Sequence, residues 1–399
     1  ATSAADRTAP DASAAPASAE PPDPETQEGK NFRFFDNRQK YLMFVNTCSE
    51  KWVVAQRVAK ELETLSPAPP ALRFFDAGVG DGTVLARVLR SMHRRFEWVP
   101  FYVAAKEISL EDIRLTLDKM PDRFLEHPEL VLSLTNLPYA DAPWLKPAAA
   151  DAKVAWLELP LKGSTTAEFE RQILDLQPFL DTNWRTRLDP KSGRLLPETP
   201  AVVVLYREDR RFVLDSVIPR QGTAPADYDL VLASQPFRLR AEVGFKARRV
   251  LAPLSRALRP GGRLLGIHSA GNDPALEIVQ RVWPGEDPFT TSRRMLLGAT
   301  REALGEEADR FSFEPLPNSR SLFRYEMHTL PDEIDSETTI GTSTLLAAWN
   351  AATYVAQIDD ERLAEAMSTS GYLDATRAVL HKHGDLWFND ESYLISRKS

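Results

Sequence analysis

The sequence predicts a doubly wound α/β fold with a mostly parallel sheet, and three observations support this prediction. First, an apolar strand beginning at Leu72 runs into a glycine-rich turn and then into a helical pattern. Second, further buried-type strands begin at Phe101, Leu130 and Tyr228, with helical segments between them. Third, a Pro-Gly-Gly turn at 260–262 precedes another apolar strand. Strands that alternate with helices in this way are typical of a parallel sheet covered on both faces.

Length and composition limit the class of protein. With 399 residues and 43% hydrophobic content, the chain can bury a sizeable core. Its net charge of −8 gives no general attraction to phosphate backbones or anionic membranes. No apolar run reaches the roughly 18 to 20 residues that a membrane span requires. We therefore expect a protein that does not enter a membrane, with nucleic acid a disfavoured partner.

Cys48 is the single cysteine, which excludes an intrachain disulfide and a cysteine-rich zinc site. A reducing, cytoplasmic location fits this usage best. The thiol is expected to be packed in the core, with a nucleophilic role as the weaker alternative.

Residues 1–30 consist almost wholly of small, proline and acidic residues, so we predict a disordered tail. A helix is predicted around Trp52–Leu62, ending before Pro67. Tyr41 and Asn46, ahead of that helix, are candidate ligand contacts, with core packing as the alternative for both.

The glycine-rich turn is a candidate ligand cradle. Gly78, Gly80 and Gly82 allow positive φ and close approach of a ligand to the backbone. A dinucleotide-binding loop reads G-x-G-x-x-G, whereas this turn reads G-x-G-x-G, with Thr83 in the place of the last glycine. A pyrophosphate ligand is therefore disfavoured.

The segment Asp76-Ala-Gly-Val-Gly-Asp-Gly82 resembles the first motif of class I S-adenosylmethionine-dependent methyltransferases. The resemblance implies a seven-stranded, Rossmann-like sheet closed by an antiparallel edge, and S-adenosyl-L-methionine as cofactor. It further implies that Asp76 and the glycines at 78, 80 and 82 hold the methionine end of that cofactor.

Two later strand ends extend the resemblance. Glu107 follows the predicted strand 101–105, where family members place an acid for the ribose hydroxyls, and a carboxylate can accept two hydrogen bonds from a diol. Ser109 begins a capped helix, which keeps Glu107 at the strand tip. Asn136 follows the predicted strand 130–134, where the family reads adenine; a turn set by Asn and Pro is the equal alternative.

The fourth predicted strand, 228–234, ends in Ser234-Gln-Pro-Phe237. This segment is similar to the Asn/Asp/Ser-Pro-Pro-Tyr/Phe motif of amino-methylating members, although Gln235 departs from it. A simple turn at the strand end is the alternative. The fifth strand follows the Pro-Gly-Gly turn and ends near His268.

One methyltransferase domain is predicted over residues 31–399, with an insertion at about 147–226 and a helical addition at about 342–382. The insertion is predicted to contain a helix at 165–180 and a hairpin formed by 201–206 and 211–218, and either shapes the substrate site or forms a dimer. The sixth and seventh strands are predicted at 322–328 and 387–397, after a helix at 292–304.

Methyl transfer to a small molecule is the predicted activity. The acceptor pocket is predicted between strands four and five and the helical addition. Ser234 and His268 are the candidate catalytic residues there, with His268 the preferred base. Its candidate lining residues are Phe237, Trp349 and Tyr354.

Two other functions remain open from the sequence. A nucleic-acid or ribosomal amino-nitrogen methyltransferase would use the Ser234–Phe237 segment, but the acidic balance disfavours it. A non-catalytic scaffold is disfavoured because the glycine turn is intact. No histidine pair has the spacing of helical metal ligands, so no metal is expected.

Overall fold

The computed structural model describes residues 38–149, 152–190, 195–330 and 340–399. The predicted disordered tail, 1–30, lies outside these residues. The strands are β1 Leu72–Asp76, β2 Phe101–Lys106, β3 Leu130–Thr135, β4 Ala155–Leu161, β5 Thr186–Leu188, β6 Leu195–Pro197, β7 Ala201–Arg207, β8 Tyr228–Ser234, β9 Leu258–Ser269, β10 Phe311–Glu314, β11 Leu322–Glu326 and β12 Trp387–Arg397.

The α-helices are α1 Arg38–Thr47, α2 Glu50–Leu62, α3 Thr83–Arg95, α4 Leu110–Asp118, α5 Pro121–Glu126, α6 Thr166–Leu174, α7 Gln177–Asn183, α8 Arg211–Leu214, α9 Val243–Lys246, α10 Ala252–Arg256, α11 Pro274–Val282, α12 Arg293–Leu304, α13 Asn318–Ser321, α14 Thr342–Val355, α15 Asp360–Met367 and α16 Gly371–His383. A π-helical turn, Ala247–Leu251, joins α9 to α10.

The main sheet has the order β10-β12-β9-β8-β1-β2-β3-β7-β4, with β11 also paired to β12. The strands from β9 to β3 are parallel to one another. β12 runs antiparallel to β9. The predicted fold class, the antiparallel edge and all seven predicted core strands are confirmed, although β10, β7 and β4 make the sheet wider than seven strands.

Two hydrophobic cores lie on opposite faces of the sheet, because successive side chains of a strand point to opposite sides. Phe74 packs in the core with α2, α3 and α6, whereas its neighbour Phe75 packs in the core with α10 and α12. A third core joins α1, α11 and α14–α16. β1 has buried side chains on both faces, as a central parallel strand should.

The predicted hairpin of the insertion is wrong. Residues 201–207 form β7, but this strand pairs antiparallel with β3 and parallel with β4. The expected partner segment instead begins with the short helix α8, and its Phe212 is 96% exposed. β7 is buried along its whole length and therefore lies inside the sheet, where both of its edges are paired.

Two helix predictions correspond to several shorter helices. The segment 165–180 contains α6 and the start of α7, separated at Asp175–Leu176. The region 342–382 contains α14, α15 and α16, because Asp359 caps the start of α15. In the described part of the chain, no helix has the length and apolar character needed to cross a membrane.

The sheet brings the predicted acidic strand ends together. β1 and β2 are parallel neighbours, with Asp76 paired to Ala105. Glu107 follows directly after β2, so both carboxylates lie at the same edge of the sheet, as predicted.

Candidate active site

A cavity of about 280 Å³ lies at the carboxyl ends of β1, β2 and β8. Open α/β sheets bind ligands at this edge. Helices α1, α2 and α14 contribute the remaining walls. The lining residues are Tyr41, Phe44, Glu50, Lys51, Gly78, Gly80, Lys106, Glu107, Ile108, Asp112, Tyr139, Ser234, Gln235, Pro236, Phe237, Arg238 and Tyr354.

The glycine turn has the backbone geometry of a cradle. Gly80 and Gly82 have φ values of +55° and +78°, in the region that glycine adopts without strain. A Cβ on Gly82 would lie 2.7 Å from Thr116 Cα, so this glycine is required by packing. A Cβ on Gly78 would meet nothing within 4 Å. Gly78 therefore leaves open space for a ligand, whereas Gly82 fixes the turn against α4.

Glu107 connects the end of β2 to this turn. Its Oε2 accepts a hydrogen bond from Gly80 N at 3.0 Å. Its Oε1 accepts from the N–H groups of Ile108 and Ser109 at 2.7 and 2.9 Å. Burial raises the pKa of Glu107, whereas Lys106 and these backbone donors act to lower it. Oε2 keeps an acceptor position for a ligand hydroxyl.

Asp76 lies at the end of β1 and is 2% exposed; like Gly82, it lies outside the cavity lining, which corrects its predicted place in contact with the cofactor. Its Oδ1 accepts a hydrogen bond from Gly78 N at 3.2 Å. Burial raises the pKa of Asp76 to about 7, and the neighbouring Glu107 charge adds to this, although Lys51 and Gly78 N act in the opposite direction. Asp76 therefore shapes the turn from behind the cavity wall.

Lys51 and Tyr41 close the cavity beside the turn. Lys51 Nζ lies 3.3 Å from Glu50 Oε2 and 5.7 Å from the Tyr41 ring centroid. Burial acts to lower the pKa of Lys51, but attraction to Glu50, Tyr41 and Asp81 outweighs it and holds the pKa above its ordinary value. Tyr41 OH donates to Asp81 Oδ1 at 3.3 Å. A charged ammonium group therefore remains close to the glycine turn.

Ser234, Gln235 and Phe237 extend the cavity beyond β8, where the sequence predicts substrate contacts. Gln235 has φ +48°, an uncommon backbone conformation for a residue with a side chain. Its amide nitrogen donates to Ser269 Oγ at 3.0 Å and to Asp390 Oδ1 at 3.3 Å. The Gln235 side chain is therefore held by residues of β9 and β12.

Tyr139 supports the same segment, because its hydroxyl donates to Pro236 O at 2.8 Å. Lys106 Nζ lies 4.7 Å from the Tyr139 ring centroid, a cation–π arrangement. Burial lowers the pKa of Lys106 and raises that of Tyr139. The loop after β3 thus contributes an aromatic wall through Tyr139.

Asn136 lies outside the cavity lining, which corrects its predicted place beside the cofactor. It is 1% exposed, and its amide donates to Asn183 O at 3.1 Å and Thr199 O at 2.9 Å. Its carbonyl accepts from Ala201 N at 2.8 Å. The side chain ties the insertion to β3, because every bond it makes goes to backbone before β7 or at its start.

His268 and Trp349 also lie outside the cavity lining, contrary to their predicted positions. His268 is 2% exposed, and its Nε2 lies 2.9 Å from Glu391 Oε1 without hydrogen-bond alignment. Its ring is 6.5 Å from the ring of Phe237, which does line the cavity. Trp349 stacks on Trp283, with centroids 5.5 Å apart, inside the helical core. His268 and Trp349 have the polar and aromatic chemistry expected of a site, but both side chains pack inside the protein.

Tyr354 lines the cavity as predicted, with its ring 5.0 Å from Phe44 and 6.2 Å from Tyr41. Tyr41 lines it as well, whereas Asn46 is exposed on α1. Cys48 is 3% exposed, and burial raises the pKa of its thiol to about 12, which suits a packed rather than a nucleophilic residue.

Sequence reasoning missed several charged and aromatic residues of the cavity. Glu50, Lys51 and Phe44 lie in or before α2, in a segment whose pattern indicates only a helix. The mixture of charged and aromatic residues at 38–52 is the sequence signal that this segment covers the sheet edge.

A second groove, of about 380 Å³, lies between α2 and α3. It is lined by Trp52 and by Arg87, Arg90 and Arg94 on one face of α3. This groove is away from the carboxyl strand ends and contains neither the glycine turn nor Glu107. We therefore assign the candidate site to the smaller cavity.

Comparison with known proteins finds no matching family model and no matching curated protein. Among solved structures, a geranyl diphosphate methyltransferase is similar over 86% of this chain and 78% of its own, at 12% identity and a TM-score of 0.31. A Galdieria sulphuraria protein assigned as a sarcosine dimethylglycine methyltransferase is similar over 87% and 86%, at 9% identity and a TM-score of 0.35. Haemonchus contortus phosphoethanolamine N-methyltransferase 2 is similar over 86% and 52%, at 11% identity and a TM-score of 0.26.

These likenesses are too weak to carry an argument about activity or ligand. The sheet itself shows the fold: the parallel order β3-β2-β1-β8-β9 with antiparallel β12 beyond β9 is the arrangement that the class I methyltransferase resemblance implies.

Proposed function

We propose that this protein is an S-adenosyl-L-methionine-dependent methyltransferase that acts on a small molecule. The observation that carries this proposal is the hydrogen bond between Gly80 N and Glu107 Oε2. It joins a positive-φ glycine turn to a carboxylate on the adjacent strand, at the wall of one cavity.

The residues present fit this cofactor. Open space at Gly78 accommodates a ligand that passes close to the backbone. Glu107 supplies a carboxylate for the ribose hydroxyls, and Lys51 supplies a positive charge for the carboxylate of an amino-acid group, while Asp76 supports the turn behind the cavity wall. When bound, the cofactor supplies an electrophilic methyl group. The chain's task is then to orient the acceptor and remove a proton when needed.

The aromatic lining of the cavity supports a small acceptor. Tyr41, Phe44 and Tyr354 form an aromatic wall opposite the strand ends. Sites for small molecules are concave and lined by aromatic side chains with a few polar groups. The net charge of −8 adds no general attraction to a polyanion.

The variant Glu107→Gln tests the cofactor site. We expect calorimetry to show weaker binding of both S-adenosylmethionine and its demethylated product by about 10- to 100-fold, because the amide cannot accept hydrogen bonds at both positions. Glu97→Gln, in an exposed loop before β2, is the matched control. Unchanged affinity in Glu107→Gln would contradict the assignment. Label transferred from methyl-labelled cofactor only into RNA or protein fractions would contradict the small-molecule acceptor.

A further inference from the structure

Two buried carboxylates lie at and behind the cavity wall. Glu50 is 6% exposed and lines the cavity, and its Oε2 forms an ion pair with Lys51 Nζ at 3.3 Å. Asp390, on β12, is fully buried behind Gln235, which donates to its Oδ1, whereas its Oδ2 has no aligned donor. Buried carboxylate oxygens without donors are costly in a folded protein, and this cost is relieved when a ligand supplies the donor.

Lys51 is the cation that acts on both of these carboxylates. The ammonium of Lys51 is shared, because it attracts Glu50, Asp76, Asp81 and Asp390. Lys119 also reaches Asp81, but it lies on the side of the glycine turn. Lys51 therefore divides its charge among several carboxylates, and a cationic ligand would add to it.

Glu50 and Asp390 lie where we expect the methyl acceptor to bind, away from the expected cofactor position. Gln235 lies at the end of β8 and connects the cavity to Asp390 through its amide nitrogen. Asp390 pairs in register with Ser269 at the end of β9. Glycines 78 and 80 and Glu107 lie instead at the ends of β1 and β2. Asp390 thus lies behind the β8 and β9 side of the cavity, and Glu50, at the start of α2, is close enough for its charge to act on Asp390.

Aromatic rings surround the same side. Phe44 and Tyr354 line the cavity with centroids 5.0 Å apart, and Phe237 follows Gln235. Carboxylates combined with aromatic faces favour an organic cation, because both attract positive charge and the rings exclude water. Among the described residues, no group of three or more His, Cys, Asp or Glu side chains is arranged to hold a metal ion. An ammonium group therefore suits the site better than a metal.

We propose that the methyl acceptor is a small amine, which enters as an ammonium ion and is held by Glu50, with Asp390 as a positioning residue. This inference rests on the proposed function. Asp390 fixes Gln235 at the edge of the cavity and adds negative charge behind it only when deprotonated, whereas Glu50 contacts the ammonium group directly.

Glu50 serves as the base for the proposed methyl transfer to the amine. Glu50 takes one N–H proton from the ammonium group, which frees the nitrogen lone pair. That lone pair forms the new N–C bond while the C–S bond of the methyl donor breaks and its electron pair stays on sulfur. The methylated amine leaves with a positive charge, and the proton on Glu50 passes to water.

Amine binding should also depend on pH through Asp390. Burial raises the pKa of Asp390 well above its usual range, and the charges of Glu50 and Asp273 add to this, whereas Ser269 and Lys51 act to lower it. A protonated Asp390 contributes no negative charge, so amine affinity should rise with pH as this proton is lost.

The test uses benzylamine and benzyl alcohol as probes of nearly equal size, on the full chain saturated with the demethylated cofactor product. Calorimetry and ligand-observed NMR should show benzylamine bound at least about tenfold more tightly than the alcohol in the wild type. Glu50→Gln should remove most of this preference. Asp390→Asn should weaken it and flatten its dependence on pH. Glu63→Gln, an exposed carboxylate just after α2, should leave it unchanged.

Equal binding of amine and alcohol by the wild type would overturn the inference, and so would an undiminished preference in Glu50→Gln. If Asp390→Asn does not fold, these two comparisons still decide the result. Binding of the demethylated cofactor product is measured first. Its absence would contradict the proposed function itself, whereas its presence without an amine preference would contradict only the amine acceptor.

Discussion

The two ends of the cavity are built in different ways. The proposed cofactor end, formed by Gly78, Gly80 and Glu107 with Asp76 behind the turn, lies within one β-α-β unit at residues 72–107. The proposed acceptor end, formed by Glu50, Gln235 and Tyr354 with Asp390 behind Gln235, draws on the first helices, the middle of the sheet, the helical addition and the last strand.

This difference explains why the sequence predicts the residues of the proposed cofactor end but not those of the proposed acceptor end. A glycine turn between a strand and a helix has local geometry, so its residues appear together in the chain. The polar partners of the acceptor end meet only because β12 packs beside β9 and α14 packs on α1. Substitutions can therefore separate features that the local sequence sets from features that tertiary packing sets.

The largest expected effect is at Gly80, in the cofactor end. A Cβ there would lie 3.3 Å from Tyr41 OH at φ +55°, and an arginine side chain would fill the cavity. We expect Gly80→Arg to weaken binding of S-adenosylmethionine by at least about 1,000-fold, or about 4 kcal/mol, measured by calorimetry.

Gly222→Arg is the matched control, because this exposed glycine also has positive φ, +81°, with nothing within 4 Å of its Cβ position. Retained cofactor affinity in Gly80→Arg would show that the cradle is elsewhere.

Asn136 tests whether a residue next to the cofactor end belongs to the site or to the scaffold. Asn136→Ala removes three hydrogen bonds to buried backbone. We expect the free energy of unfolding in urea to fall by about 2 to 4 kcal/mol while cofactor affinity changes less than about threefold. Asn46→Ala, on the exposed face of α1, is the control. A large loss of cofactor affinity with unchanged stability would instead indicate that Asn136 contacts the adenine ring.

Asp76 should make stability depend on pH. Its pKa of about 7 in the folded state exceeds the unfolded value of about 3.9, so the folded state retains a proton that the unfolded state releases. Its contribution is therefore fully present below about pH 4 and is lost as pH rises through 7.

We expect Asp76→Asn to reduce the loss of unfolding free energy between pH 5 and 7 by about 2 kcal/mol, measured by urea titration at each pH. Exposed Asp122→Asn should leave the profile unchanged. A parallel profile for Asp76→Asn and the wild type would show that Asp76 is not buried in its acid form.

The smallest effect is expected at His268, which was the preferred base. Because His268 is buried beside Glu391 and outside the cavity lining, we expect His268→Gln to change the rate of methyl transfer into a small-molecule extract by less than about threefold. His328→Gln is the control, because His328 is exposed and its ring stacks on Trp52. A loss of more than about 100-fold at an unchanged melting temperature would identify His268 as the base.

Much of the fold and the cofactor end was predictable because the signals are local. Strand hydrophobicity, the turn at Gly78–Gly82, the cap at Ser109 and the strand-end position of Glu107 each depend on residues close in the chain. Neighbouring parallel strands then bring Asp76 and Glu107 to one edge without further information.

Tertiary structure alone decided which polar and aromatic side chains face the cavity. His268, Trp349 and Asn136 had suitable chemistry, but pairing with Glu391, stacking on Trp283 and bonding to the insertion place them elsewhere. Glu50 and Asp390 gave no signal in the chain, yet packing buries both without enough donors. Local patterns determine what a segment can form, whereas the partner of a buried side chain depends on which distant segments pack against it.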